Sequence, residues 1–404
     1  MLPLFYLISH YSNLPFRAWE QRKLGDIANY RNGKAHEQVE DEDGKYTIIN
    51  SKFISTNGKV QRYTNEQVEP IFDGEIAMVL SDLPNGKALA KLFLVKEDGK
   101  YTLNQRIAGI TPNENIDPIF LNFRMNRNNY FLKFDSGVTQ TNLSKSQVEN
   151  FIALYPTFDE QYKIGLFFTQ LDDTIALHQR KLDALKLMKK GFLQRMFPNN
   201  EEEIPKVRFA DFDGMWKQRK LNSITEKITR KNKELESTLP LTISAQDGLI
   251  DQNEYFNKII ASRNIRGYFL VKNGEFAYNK SYSKGYPWGV VKRLDNYNMG
   301  VLSTLYIIFK PVKINSDFLT KYFDSTYWYR AVSQFATEGA RNHGLLNIAA
   351  SDFFEIELNI PLNNEEQKKI GLFFQQLENI IILHQNKLEK LSILKKTYLK
   401  KMFI

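Results

Sequence analysis

The sequence contains no cysteine, and only 5 of its 404 residues are histidine. Disulfide bonds, thiolate metal sites and cysteine nucleophiles are therefore excluded, and the scattered histidines have no spacing typical of a metal site. No G-x-G-x-x-G follows a strand, and the G-x-x-x-x-G-K-S/T phosphate loop and the nucleophile elbow around a serine are absent too. The sequence therefore offers no catalytic constellation.

Two kinds of short motif come close to catalytic patterns, but both have a simpler structural explanation. Asp117-Pro-Ile-Phe120 resembles the Asp-Pro-Pro-Tyr motif of amino-methyltransferases without its second proline, and we interpret it as a turn into a helix. The Asp-Gly-Lys tripeptides at 43–45 and 98–100 could provide a nuclease carboxylate and lysine, but Asp-Gly is a strong hairpin-turn signal. We favour turns in all three places.

Long hydrophobic runs are also absent. The apolar run from Leu2 to Ile8 is too short to span a bilayer, and it lacks the basic residues that open a signal peptide. We therefore expect an irregular start and a cytoplasmic protein. With 42% hydrophobic and 13% aromatic residues, the chain has the composition of a folded protein, and its length allows two domains.

One helix-length stretch occurs twice. Residues 160–197 and 366–403 align without a gap at an offset of 206, and about 22 of the 38 aligned residues are identical, which marks an internal repeat. Both copies begin Glu-Gln-x-Lys-Ile-Gly, and neither contains proline. Seam residues recur at alternating spacings of four and three, as in a coiled coil. The predicted helix-pair seam consists of Ile164, Phe168, Leu171, Ile175, His178, Leu182 and Leu185 in the first copy and Ile370, Phe374, Leu377, Ile381, His384, Leu388 and Leu391 in the second.

This spacing predicts two long helices that pack against each other. At about 1.5 Å per residue, each would be roughly 55 Å long. If they pack antiparallel about a pseudo-twofold axis, His178 and His384 would meet near the middle of the seam. A metal or pH switch is one interpretation of such a pair, but we favour a polar pair that fixes the register of the helices.

The excess positive charge lies in the two repeats. The formal net charge of the chain is +9, to which residues 160–197 contribute +3 and residues 366–403 contribute +5. The segments between the repeats are therefore close to neutral. We favour solvated lysine and arginine side chains, which also stabilise helix C-termini, over a DNA-binding stripe.

A large segment of mixed strand and helix character precedes each repeat. Trp19-Glu-Gln-Arg-Lys-Leu24 opens the first segment and Trp216-Lys-Gln-Arg-Lys-Leu221 opens the second. In the first segment, β-rich runs alternate with Asn-Gly and Asp-Gly turns, and the second follows the same plan in outline. We predict a tight hairpin at Lys96–Tyr101 and helices at Ile119–Phe134 and Asp317–Ala336. The order is domain, helix, domain, helix.

Polar loops are the best candidates for contacts with nucleic acid. Amide and hydroxyl groups suit adenine and phosphate, and arginine suits guanine. The second segment adds a loop that mixes cations, hydroxyls and aromatic rings around a glycine. Each loop could equally be a solvated turn. The candidate DNA-binding residues are Thr139, Gln140, Thr141, Asn142, Lys280, Tyr282, Ser283, Lys284, Tyr286, Arg341, Asn342 and His343.

Taken together, these motifs resemble the DNA-specificity subunits of type I restriction-modification systems. The resemblance covers nearly the whole chain. It rests on Val207–Leu221 (VRFADFDGMWKQRKL), on the shorter Leu14–Leu24 (LPFRAWEQRKL) and on the two Glu-Gln-x-Lys-Ile-Gly helices. Residues 1–13 depart from the pattern, because they replace the polar Arg-Phe lead-in seen at Val207.

The resemblance implies an α/β (α+β) fold with two target-recognition domains, residues 14–158 and 206–362, each reading one half of a bipartite, asymmetric DNA site. Residues 159–199 and 363–404 would form conserved helices that pack as an antiparallel coiled coil and dock two modification subunits. The chain itself would be noncatalytic and without a cofactor. Partner subunits would supply adenine methylation with S-adenosylmethionine, and a motor subunit would use ATP and Mg for restriction.

The length of the helices and the distribution of charge agree with this interpretation. A helix pair of this length could hold two domains about one DNA turn apart, roughly 34 Å. Because the domains are nearly neutral, we expect weak DNA binding by the isolated chain and tight binding with its partners. Two alternatives stay open: an adaptor that presents two modules to proteins, and a stand-alone DNA-binding regulator that dimerises through its coiled coil. A footprint on a two-part site, no footprint, or a palindrome would separate the three.

Overall fold

Two compact units make up the chain, one formed by Met1–His178 with Lys387–Ile404 and the other by Gln179–Asn386. Each unit holds one α/β domain and parts of both long helices. The irregular start expected at residues 1–13 lies outside the described part of the chain. The computed structural model describes residues 18–36, 38–84, 86–198, 202–258, 261, 264–281, 285–335, 341–342, 345–346 and 348–403, with the backbone alone at 341, 342 and 345.

Short strands and short helices build the first domain. Isoleucine, valine, leucine and tyrosine recur in the strands, where such side chains pack well on a pleated surface. The elements of the first domain and the helix that follows it are, in chain order, β1 (Glu20–Lys23), α1 (Leu24–Ile27), β2 (Ala28–Asn32), β3 (Tyr46–Ile49), α2 (Ser51–Ser55), β4 (Tyr63–Thr64), β5 (Pro70–Ile71), β6 (Ile76–Val79), β7 (Ser81–Asp82), β8 (Leu92–Leu94), β9 (Tyr101–Leu103), β10 (Ile107–Pro112), α3 (Pro118–Met125), α4 (Asn129–Leu132), β11 (Thr141–Asn142), α5 (Lys145–Glu149), β12 (Ile152–Tyr155) and α6 (Phe158–Arg195).

A four-stranded antiparallel sheet of order β2-β10-β6-β8 forms the centre of the first domain. All of β6 is buried, and its alternating side chains enter two different cores. Ile76 and Met78 pack in the core that contains α3. Ala77 and Val79 pack in the core beneath the second sheet, of order β4-β3-β9-β5. The central sheet is therefore covered on both faces.

The second domain repeats this plan. Its central sheet has the order β14-β21-β18-β19, and β13 pairs with β24 as β1 pairs with β12. Among the described residues of this domain, the strand pairs β15-β16, β17-β20 and β22-β23 accompany the central sheet. The elements are β13 (Lys217–Lys220), α7 (Leu221–Ile224), β14 (Thr225–Ile228), β15 (Leu241–Ser244), β16 (Gly248–Asp251), α8 (Gln252–Phe256), β17 (Phe269–Lys272), β18 (Phe276–Asn279), β19 (Val290–Arg293), β20 (Met299–Leu302), β21 (Ile307–Pro311), α9 (Ser316–Asp324), α10 (Trp328–Ser333), β22 (Arg341–Asn342), β23 (Leu345–Leu346), α11 (Ala350–Glu355), β24 (Glu357–Ile360) and α12 (Asn364–Met402).

An arginine–glutamate pair recurs at the edge of each central sheet. The two terminal nitrogens of Arg31 each lie 2.6 Å from an oxygen of Glu75, and Thr111 donates to the same carboxylate. Burial raises the pKa of Glu75, but these hydrogen bonds outweigh it and hold the pKa below its usual value. In the second domain, Arg230 binds Glu275 at 2.7 Å. Each pair ties the first strand of its sheet to the turn before the central strand.

The repeated Glu-Gln pair at the start of each long helix attaches the domain to that helix. Glu366 is buried, and its carboxylate accepts hydrogen bonds from Arg208 at 2.7 and 2.8 Å and from the Trp216 indole at 3.2 Å. In the first unit, Glu160 accepts from the Trp19 indole at the same 3.2 Å. The two opening motifs are therefore similar because each tryptophan is fastened to its own helix.

The glutamine of this pair binds two backbone groups, one at the N-cap of a domain helix and one at the proline before the long helix. Gln161 accepts from the N–H of Asp117, the N-cap of α3, at 3.1 Å and donates to the Pro156 carbonyl at 2.9 Å. Gln367 makes the same two bonds with the N-cap of α9 and with the carbonyl of Pro361, both at 2.8 Å. The expected turn into a helix at Asp117 is confirmed, because Asp117 caps α3 and proline occupies its first turn.

The long helices pack antiparallel within the first unit. Phe168, near the start of α6, stacks on Phe403 at the end of α12, with ring centroids 5.6 Å apart. One turn further along α6, Asp172 binds Lys395 at 2.5 Å. The last turns of α12 thus complete the core of a domain that lies at the other end of the sequence.

The second unit repeats these contacts with the helices exchanged. Phe374 stacks on Phe197 at 6.2 Å, and Glu378 binds Lys189 at 2.6 Å. Each of these residues is 206 positions from its counterpart in the first unit. Phe197 is almost completely buried, so the end of α6 completes the core of the second domain. Each compact unit thus contains parts of both long helices. The predicted limits at 14–158, 159–199, 206–362 and 363–404 divide the chain by sequence and stay predictions; they do not coincide with the compact units.

The predicted seam residues occupy buried or half-buried positions. Ile164 and Phe168 lie in the first-domain core, and Ile370 and Phe374 in the second-domain core, so the start of each seam packs on its domain as well as on the other helix. The buried members are Ile164, Phe168, Leu171, Leu182, Ile370, Phe374, Leu377 and Ile381, and the half-buried members are Ile175, His178, Leu185, His384, Leu388 and Leu391.

Three predicted elements were wrong in detail. Ile119–Phe134 is not one helix, because Asn126 and the positive φ of Arg127 break it between α3 and α4. Asp317–Ala336 is likewise divided, because Ser325 adopts an extended backbone after α9. The turn at Lys96–Tyr101 does not close a hairpin, since β8 pairs with β6 while β9 pairs with β3 and β5. It connects two sheets.

Candidate nucleic-acid interface

The predicted loop Thr139–Asn142 lies at one end of the central sheet of the first domain. Its last two residues form β11, which pairs antiparallel with β7. Directly after β11, the Leu143 N–H donates to the carbonyl of Leu80, just beyond β6, at 2.8 Å. The loop therefore extends the sheet at the C-terminal end of β6.

The loop side chains divide into exposed and structural groups. Gln140 is exposed, and its Nε2 donates to the Ser81 hydroxyl at 2.6 Å. Thr141 is 8% exposed, and its hydroxyl donates to Asp135 at 3.2 Å. Thr141 therefore holds the loop in place, whereas the other three loop residues present polar groups to solvent.

A carboxylate organises the neighbouring segment that follows β7. Asp82 accepts the N–H groups of Leu83, Ala88 and Leu89 at 2.9, 2.6 and 3.1 Å. A side chain at Gly86 would come within 2.1 Å of the Asp82 carboxylate, so glycine is required for this close approach. The segment after β7 is thus fastened back onto the sheet beside the predicted loop.

A turn that we did not predict lies at the same end of β6. The Ile107 N–H donates to the Asn104 carbonyl at 2.9 Å, which closes a β-turn between β9 and β10. The Leu80 N–H donates to the Arg106 carbonyl at 3.0 Å, so this turn is the direct neighbour of the β6 end. Gln105 and Arg106 are its exposed central residues. The turn contains neither glycine nor proline, which explains why the usual turn signals missed it.

In the second domain, several candidates gather at the same end of the central sheet. Lys280 follows β18, and its carbonyl accepts the N–H of Leu346, which belongs to the β22-β23 hairpin of Arg341 and Asn342. The Lys280 ammonium donates to the Ile348 carbonyl at 3.1 Å. Lys280 therefore occupies the place of Leu80 in the first domain, and part of its role is to hold the hairpin.

The remaining candidates are placed only in part. Tyr286 is half-buried. Its neighbour Tyr329 has a raised pKa, first because of burial and then because of the adjacent Tyr286 phenol. Four candidates, Tyr282, Ser283, Lys284 and His343, lie outside the described residues, and the side chains of Arg341 and Asn342 are not described.

An equivalent β-turn lies beside Lys280. The Tyr306 N–H donates to the Ser303 carbonyl at 3.3 Å, which closes a turn between β20 and β21. The pairing of β21 with β18 matches that of β10 with β6, so Leu305 occupies the position that Arg106 has in the first domain. Leu305 is 59% exposed. The two domains thus present different side chains at one position of the fold.

In the first unit, this end of the sheet points away from the start of α6. β10 begins beside Arg106 and ends at Pro112, and the chain then reaches Asp117, whose N–H binds Gln161 of α6. Six residues of strand span about 20 Å. Arg106 is therefore separated from the start of α6 by the length of the strand.

In the described part of the chain, no three His, Asp or Glu side chains are grouped so that they could hold a metal ion. None of its helices combines the length and the apolar character that crossing a membrane requires.

This architecture defines a class of protein: two domains of one design, each fastened to a long helix and each with different side chains on the turns at one end of its sheet. Comparisons with known proteins point to one family. Residues 17–187 match the model of the type I restriction modification DNA specificity domain. The MjaVIII specificity subunit of Methanocaldococcus jannaschii, a type I restriction enzyme subunit, is 22% identical over 94% of this chain and 90% of its own length.

Solved structures have the same fold. The S subunit of a type I restriction-modification system from M. genitalium superposes with a TM-score of 0.58 at 14% identity, covering 98% of both chains. A chain from a study of complex assembly and conformational transition in a type I R-M system gives 0.51 at 15% identity, covering 96% of this chain and 98% of its own. The predicted α/β (α+β) fold, with its two domains and paired helices, is confirmed.

Residues 17–187 thus resemble the DNA specificity domain of type I restriction-modification systems, and nearly the whole chain is similar to one of their specificity subunits. Its function is the recognition of a DNA target, as predicted. The adaptor and stand-alone regulator interpretations receive no support from these relatives.

Proposed function

We propose that each domain reads one half of a bipartite, asymmetric DNA sequence, with residues 14–158 and 206–362 as the two target-recognition domains. One observation carries this proposal. The same end of the same sheet recurs in both domains, with Arg106 at a position of the first domain that Leu305 occupies in the second. Because the framework is repeated and the exposed side chains differ, two unlike half-sites are expected.

The long helices dock two modification subunits. Three apolar pairs, each separated by 206 residues, are exposed on α6 and α12, and each compact unit contains one member of every pair. Exposed apolar side chains that recur in this way favour protein contacts. Two equal sets favour two copies of one partner. The pairs are Leu166 with Leu372, Leu177 with Leu383, and Leu187 with Ile393.

The chain is noncatalytic and acts in the cytoplasm with its partners. Methyl transfer from S-adenosylmethionine and restriction driven by ATP and Mg belong to those subunits. The isolated chain binds DNA weakly, since most of its net charge of +9 lies on the helices and not on the domains. Nanomolar, sequence-specific binding by the purified chain alone would contradict this part of the proposal.

The decisive experiment maps adenine methylation across a genome in cells that express the chain with its modification subunits. We expect one bipartite motif. Exchange of residues 14–158 for the corresponding domain of another family member should change one half of the motif and leave the other half intact. A change in both halves, or methylation without a bipartite motif, would refute the division of labour between the domains.

The docking surface needs a separate measurement. Leu177→Asp and Leu383→Asp should each reduce the number of bound modification subunits from two to one, as counted by native mass spectrometry. Met215→Asp is the matched control, because Met215 is also exposed but lies on the loop before β13. Two bound subunits in both helix variants would show that the partners dock elsewhere.

A further inference from the structure

We infer that the central residues of the two equivalent β-turns, Gln105–Arg106 and Thr304–Leu305, contact base edges and determine one position in each half-site. This inference rests on the proposed division of the DNA site between the domains. No sequence motif marks these four residues, and they occupy one equivalent position at the end of the central sheet in each domain.

The geometry fixes the two turns at the same place. In the first domain, a row of hydrogen bonds joins Arg106 to Leu80 and Leu80 to Leu143, at 3.0 and 2.8 Å. In the second domain, Lys280 accepts from Leu346 at 3.0 Å, and the strand register puts Leu305 beside Lys280. Each turn is therefore the neighbour of a segment that already contains candidate DNA-binding residues.

The backbone of these turns accepts many different residues. None of the four central residues has a positive φ, so a wide range of residues could occupy these positions. All four are exposed, and within the described residues the Arg106 side chain forms no hydrogen bond or ion pair. Arg31 and Arg230, by contrast, are held by buried carboxylates. The cation of Arg106 and the apolar side chain of Leu305 are therefore exposed at equivalent turn positions, where, among the residues that the structure describes, neither contributes to a core or an ion pair.

Their chemistry suits the major groove. A guanidinium group donates two parallel hydrogen bonds to guanine, and the amide of Gln105 can form a pair of bonds with adenine. Leucine at the same tip cannot hydrogen-bond, but it can pack on the methyl group of thymine, and the neighbouring Thr304 hydroxyl can donate or accept. The two half-sites would then differ at the base that faces this tip.

The test uses the complete complex with its modification subunits and the methylation map of the wild-type complex as reference. Arg106→Leu should reduce discrimination at one position of one half-site by roughly 5-fold to 150-fold. Leu305→Arg should alter one position of the other half-site. Arg62→Leu is the control, because Arg62 is an exposed arginine of the same domain that directly precedes β4 of the other sheet and pairs with Glu40.

Arg106→Lys separates base contact from phosphate contact. Lysine keeps the charge but loses the planar pair of donors, so a base contact should stay impaired, whereas a phosphate contact should be restored. A motif that is unchanged in both Arg106→Leu and Leu305→Arg would overturn the inference, and so would uniform loss of methylation that lysine restores. Leu305→Arg tests the inference independently if Arg106→Leu impairs folding. Absence of any motif from the wild-type complex would instead count against the proposed function.

Discussion

Replacing Gly371 by alanine sets helix propensity against packing. In an exposed helix, alanine in place of glycine stabilises by about 1 kcal/mol. Gly371 instead lies where the start of α12 meets the start of α9. An added Cβ would be 2.7 Å from the Cβ of Asp317 and 3.0 Å from the backbone nitrogen of Phe318. Because a backbone atom is involved, one helix has to move away from the other.

The steric cost of Gly371→Ala can be isolated by comparison with a matched glycine-to-alanine variant. Overpacking of this kind costs about 1–3 kcal/mol. At Gly191, in α6, nothing lies within 4 Å of an added Cβ, so Gly191→Ala should gain the propensity term alone. Because both substitutions contain the same propensity term, the difference in stability between the two variants is the steric cost itself. Gly165→Ala, the repeat counterpart, should fall between them, since its nearest contact is the Asp117 carboxylate at 2.9 Å.

The assay is thermal unfolding of each full-length variant by calorimetry, with hydrogen exchange to locate the change. For a unit of about 200 residues, 1 kcal/mol shifts Tm by roughly 2–4 °C, so Gly371→Ala should melt roughly 2–12 °C below Gly191→Ala. Faster exchange should be confined to α9 and the start of α12. Equal stabilisation by both substitutions would refute the argument that the glycine is needed for close contact.

Two further predictions concern charged side chains. Glu366→Ala should cost up to about 3–5 kcal/mol in urea unfolding, because it leaves Arg208 without its buried partner. Glu160→Ala should cost only about 1 kcal/mol, because the Trp19 indole loses a single hydrogen bond to an exposed carboxylate; equal losses would contradict this. Burial raises the pKa of Asp324, but lysine ammonium groups at 2.6 and 3.7 Å outweigh it and lower the pKa below the usual 3.8. Asp324 therefore contributes stability that is present above about pH 4 and is lost as the pH falls. Asp324→Asn should flatten the acid side of the profile of unfolding free energy against pH. An unchanged slope would contradict this role of Asp324.

The sequence predicted the long helices well, because their evidence is periodic and repeated. Their predicted starts and ends differ from the observed ones by a few residues. The breaks within shorter helices escaped prediction, because the left-handed backbone of Arg127 has no compositional signal. The turn at Gln105–Arg106 escaped because it contains neither glycine nor proline, the usual turn signals. Strand register was also beyond reach, since it depends on hydrogen bonds between segments far apart in the chain, such as Lys34 with Leu103.

The repeated motif itself explains why identity is concentrated at the helix starts. In Glu-Gln-x-Lys-Ile-Gly, the glutamate fastens the opening tryptophan, the glutamine fastens an N-cap, the isoleucine enters the domain core and the glycine admits a second helix. Every one of these contacts joins a domain to its own helix, so each copy needs the same residues whatever DNA it recognises. The turns at the far end of each sheet take no part in that joint. If the two domains divide the DNA site as proposed, substitution there changes the recognised bases while the attachment of the domain stays intact, and one chain can carry two specificities.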